Sequence, residues 1–132
     1  MKTSLAWSAI GAAALLSVWG CGSKKADVKT QTAELEKAFP NIAAVAPAPV
    51  GQPAPGGDPK ACVSAALAAV KSNDLGTAVI MAKYAVRLPG LTPTQLAALQ
   101  EARSAWMNDL MKRAVQGEAS AKAALAVIDQ AQ

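Results

Sequence analysis

Histidine is absent from the 132 residues. That removes the side chain most often used as a general base near neutral pH and the commonest metal ligand. Cysteine occurs twice, at Cys21 and Cys62. Without an imidazole to act as its base, Cys62 is a poor nucleophile and reads as a small buried apolar residue. Carboxylates are sparse in the C-terminal half, at Asp74, Glu101, Asp109, Glu118 and Asp129. They show no metal-ligand spacing and no acid/base pair. The net charge of +4 is spread without a dense basic block, whereas nucleic-acid binders gather their cations on one face. The glycines of "PGGD", residues 55–58, sit in a proline-rich stretch and not between a strand and a helix. They are therefore no phosphate loop. Together these absences argue against an enzyme, a metal, a cofactor, a nucleic-acid partner or a small-molecule substrate. Aromatic residues make up only 4% of the chain, so any core is thin and depends on helix packing.

What the chain does have is alanine and helical periodicity. Asp58 and Pro59 suit an N-cap and a first helical turn. Val63, Ala66, Leu67 and Val70 then fall on one face. Asn73 and Asp74 interrupt, and a second stripe follows at Leu75, Val79, Ala82 and Val86, with Ile80 and Met81 beside it. Pro89 and Gly90 stop it. "TPTQ", residues 92–95, is a capping box with proline at the first helical position. The helix it opens carries Leu96, Leu99, Ala102, Trp106 and Leu110 and runs to about Gln116, where Gly117 ends it. A last helix spans about Glu118 to Asp129. No segment alternates with period two. The expected fold is all-α: a small helical-hairpin module of about four helices over residues 60–132, with Cys62 in its core. Trp106 is expected to be buried against the Leu75–Val86 helix, and Lys112 and Arg113 to be solvated. Tyr84 and Trp106 are the candidates for either core packing or an interaction surface.

The N-terminal region is of another kind. Lys2 is followed by an uncharged apolar run, "LAWSAIGAAALLSV", the layout of an export signal. Val18, Gly20 and Cys21 at its end resemble the lipobox of bacterial lipoproteins, with Trp19 where that family carries a small residue. The resemblance implies a signal peptide at 1–20, cleaved between Gly20 and Cys21, and lipid attachment at Cys21. It implies a membrane-anchored protein of the bacterial cell envelope, with a membrane partner and possible envelope protein partners. Gly22 in place of aspartate leans the anchor toward the outer membrane where two membranes exist.

Residues 21–42 read as a membrane-proximal segment with a possible short helix over Ala26 to Phe39, expected to have no fixed partner, the alternative being a helix that docks on the later module or lies on the membrane surface. Residues 43–59, "AAVAPAPVGQPAPGGDP", read as a flexible Pro/Ala/Gly-rich spacer that extends to roughly 50 Å. One further likeness lies in "NDLGTAVIMAKYAVRLP", residues 73–89, which resembles the second half of a tetratricopeptide repeat (TPR). Ala78 and Ala85 match its paired alanines and Pro89 its proline, while Asn73 replaces the turn glycine. The likeness implies a TPR-like hairpin and a protein-binding groove, but not a repeat array; with the missing catalytic chemistry, the expected role is non-catalytic protein interaction.

Overall fold

The computed structural model describes residues 27–42 and 57–131. The expected signal peptide, Gly20, Cys21 and most of the proline-rich stretch lie outside the described residues. Those described form five helices and no strand: α1 Val28–Ala38, α2 Pro59–Lys71, α3 Leu75–Arg87, α4 Pro93–Val115 and α5 Ala119–Gln130. The all-α class expected from the periodicity is what is observed.

Local chemistry sets the helix ends. Asp58 caps α2, its carboxylate accepting from the Lys60 amide at 2.9 Å, with Pro59 at the first helical position. Thr92 and Gln95 form both arms of the capping box on α4, at 3.2 and 3.1 Å. The C-termini of α2 and α4 end alike. Asn73 and Gly117 adopt positive φ, 61° and 94°. The Asp74 amide returns to Ala69 O and the Glu118 amide to Arg113 O, closing a Schellman motif at each corner. Asn73 thus performs the glycine's task, because its short polar side chain tolerates the left-handed region. Asp74 then caps α3 through the Thr77 amide at 3.0 Å.

α3 is the central helix. It packs against α2, α4 and α5, and nine of its thirteen residues are buried, from Leu75 through Ala82 and Ala85. The single stripe expected from the sequence underestimates this. At Gly76 the approach to α5 is close: a Cβ placed there would lie 2.9 Å from Ala124 Cβ.

α1 corrects the expectation of a helix without a partner. It packs along α4, burying Leu35 and Phe39 in the same core as α2–α4. Trp106 is fully buried, and its indole N–H donates to Thr32 Oγ1 on α1 at 3.2 Å. Gln95 Nε2 donates to Ala38 O at 3.1 Å, and Lys71 pairs with Glu36 at 3.1 Å. The two contacts with α4 run α1 antiparallel to it. The first turn of α1 therefore lies at the end of the bundle where the α2–α3 and α4–α5 corners meet.

Arg113 joins those corners. Its guanidinium pairs with both oxygens of Glu118, Nε to Oε2 at 2.7 Å, and donates to Asn73 Oδ1 at 3.1 Å. The expectation of a merely solvated Arg113 is corrected accordingly: a charge just before a Schellman turn is well placed to reach the residue after it.

Candidate functional site

A cleft of about 420 Å³ opens between α3 and α4 and is closed at one end by α5. Helical spacing builds its α3 wall, because Val79, Lys83 and Arg87 recur every fourth residue and so form one row. On α4, Arg103 and Met107 repeat the same step, with Ser104 and Asn108 beside them. Ile128 comes from α5. Gly76 against Ala124 and Lys83 Nζ on Ala131 O, at 2.7 Å, show that α5 runs parallel to α3. Ile128 therefore stands at the Val79 end. α4 runs the other way, which puts Met107 toward that end and Arg103 toward Arg87. The cleft is apolar at one end and cationic at the other.

No carboxylate lines this cleft. Arg87 and Arg103 have no ion-pair partner among the described residues, in contrast to Arg113. Three cations around an apolar floor attract anions, and guanidinium forks hold carboxylates in a bidentate fashion. A second cleft of about 250 Å³, between the end of α1 and α2, holds Glu36 and Lys71 together with Phe39, Ile42 and Leu67. There the Glu36–Lys71 pair neutralises the charge internally.

No family model, curated protein or solved structure matches this chain. The cleft's own chemistry is therefore what bears on function.

The residues singled out in the sequence do not gather at this site. Cys21 and Gly20 lie outside the described residues. Trp106 belongs to the core. Tyr84 is 38% exposed and does not line the cleft. Cys62 is a buried free thiol, raised in pKa by burial first and by the Asp58 carboxylate second; it stays protonated at neutral pH. Among the described residues no group of Cys, Asp and Glu is placed to hold a metal ion, and no helix is long and apolar enough to cross a membrane. Lys83, Arg87 and Arg103 escaped the sequence reading. The i, i+4, i+8 row from Val79 was visible, but its meaning depends on which helix packs opposite.

Proposed function

We propose that this protein is a lipid-anchored component of the bacterial cell envelope that presents a small, non-catalytic helical interaction module. The observation that carries the reading is the junction in the sequence where an uncharged apolar run ends at Gly20-Cys21, with the folded core beginning at Val28. Acyl chains on Cys21 add about 0.8 kcal/mol per buried methylene, so more than one chain gives a firm anchor. Residues 22–27 would be the whole tether, spanning at most about 20 Å when extended. Because α1 belongs to the core, the proline-rich stretch connects two parts of one fold, and the module sits close to its membrane. Gly22 favours the outer membrane where there are two.

The TPR-like reading draws its support from the α2–α3 hairpin. Its helices are thirteen residues each, the turn between them is short, and Ala78 and Ala85 are both fully buried. A purely structural envelope lipoprotein is the alternative; the unneutralised Arg87 and Arg103 in a cleft favour binding.

Mass spectrometry of the mature N-terminus, with fractionation of envelope membranes, tests the anchor. The expected result is an acylated Cys21 as first residue in the membrane fraction. An intact Met1 start, or cleavage elsewhere with a free Cys21 thiol, overturns it. Crosslinking and pull-down from the same membranes tests for an envelope partner.

A further inference from the structure

We propose that the α3–α4 cleft binds an extended acidic peptide segment, an apolar side chain seated at the Val79–Met107–Ile128 end and carboxylates at Lys83, Arg87 and Arg103. The proposal deepens the interaction reading above by naming the chemistry of the partner.

Spacing argues for an extended peptide. One four-residue step along α3 advances about 6 Å. Alternate side chains of an extended chain, which share a face, lie about 6.6–6.8 Å apart. A segment with an apolar residue and then two carboxylates at alternate positions thus keeps step with Val79, Lys83 and Arg87. Arg103, on the opposite wall, faces the same cationic end. A phosphate headgroup concentrates its charge within a few ångströms and would leave part of this row unpaired.

Preorganisation points the same way. Lys83 is held by its bond to Ala131 O and keeps two further N–H donors for a ligand. Arg87 and Arg103 have no carboxylate to release before they engage one. The apolar floor is already in place, since Val79 and Ile128 are buried core residues. A ligand then does not have to order the site as it binds.

The test is a fluorescence-anisotropy titration of the purified full-length protein in detergent. The probe is a labelled five-residue peptide with leucine first, glutamate third and fifth, and serine between. Saturable binding is expected, weakening as salt rises from about 0.05 M to about 0.5 M. A peptide with lysines in place of the glutamates should not bind. Arg87→Gln with Arg103→Gln should weaken binding about tenfold or more, as losing charge-assisted bonds does. Arg87→Glu, at an exposed position, gives a second variant that leaves the core untouched. Lys112→Gln, away from the cleft, should bind as the parent does. Thermal melts confirm that each variant is folded. No saturable binding below about 1 mM, or equal affinity in folded Arg87 and Arg103 variants, overturns the proposal. Capture by phosphatidylglycerol vesicles, lost in those variants and unaffected by the peptide, assigns the cleft to a lipid surface and also overturns it. The anchor is read separately at the N-terminus, so failure of either idea leaves the other intact.

Discussion

The indole N–H of Trp106 meets the Thr32 hydroxyl at 3.2 Å across 74 positions of sequence. Thr32 passes the interaction on, donating its own proton to Val28 O at 2.6 Å. A tryptophan in the middle of α4 is thus joined to the first turn of α1, and the ring fills the space between them. Trp106→Ala should cost about 3–5 kcal/mol. That is a large part of the 5–15 kcal/mol typical of whole domains. The variant should melt far lower, or be unfolded at room temperature, by circular dichroism.

The hydrogen bond is separable from the ring. Thr32→Val keeps the shape but leaves a buried N–H without an acceptor, at a cost of about 1–3 kcal/mol. Trp106→Phe removes the donor and much of the ring. In the Trp106→Phe, Thr32→Val double variant the costs should sum to less than the two singles, since the orphaned donor is gone. Strict additivity in denaturant melts would show that the bond contributes nothing.

Removing α1 is expected to open the core. A chain starting at residue 58 lacks Leu35 and Phe39, both buried, and uncovers Trp106. Its tryptophan emission should shift to the red and it should bind a hydrophobic dye, while much of its helix content remains. A blue, dye-free emission equal to that of the longer chain would mean that α2–α5 suffice.

Gly76→Ala should destabilise the fold although alanine is the better helix former. The gain in propensity is at most about 1 kcal/mol. Against it stands a methyl 2.9 Å from Ala124 Cβ and 3.5 Å from its Cα, and overpacking of this kind costs about 1–3 kcal/mol. Exchanging the two residues, Gly76→Ala with Ala124→Gly, should restore most of the loss in thermal melts. A single variant that melts higher than the parent would refute the close approach.

The Arg113–Glu118 pair sets an acid limit. The hydrogen bond from Arg113, then that from Ser120, lowers the Glu118 carboxyl from 4.5 to about 2. A depressed folded-state pKa stabilises above the unfolded value, and the benefit fades as pH falls from about 4.5 toward 2. Glu118→Gln should flatten the melting temperature over that interval. An unchanged pH profile in the variant would show that Glu118 does not carry the effect.

Helix starts were legible because they depend on neighbours in sequence. Asp58-Pro59 and Thr92-Gln95 make the bonds their spacing implies. Gly117 ends α4 by the left-handed turn expected of it. Asn73 was harder, since its sequence shows only a departure from glycine and its φ of 61° belongs to the folded corner. What sequence could not supply was the pairing of helices. α3 is buried on more sides than its stripe suggests because three helices surround it. α1 looked unpartnered because its partner lies beyond the proline-rich stretch. The cationic cleft was illegible for the same reason: Arg87 and Arg103 stand far apart in sequence and share a site only once α4 has turned back along α3.

The place of α1 also fixes an order of events in making the molecule. α1 is synthesised first, yet Leu35 and Phe39 have nothing to cover them until Trp106 and the rest of α4 exist. The α2–α3 hairpin can form from neighbours in the chain, whereas α1 needs a long loop to close. Loop closure of this kind slows folding more than it weakens the folded state. A chain truncated before residue 106 would therefore be left with the apolar face of α1 uncovered.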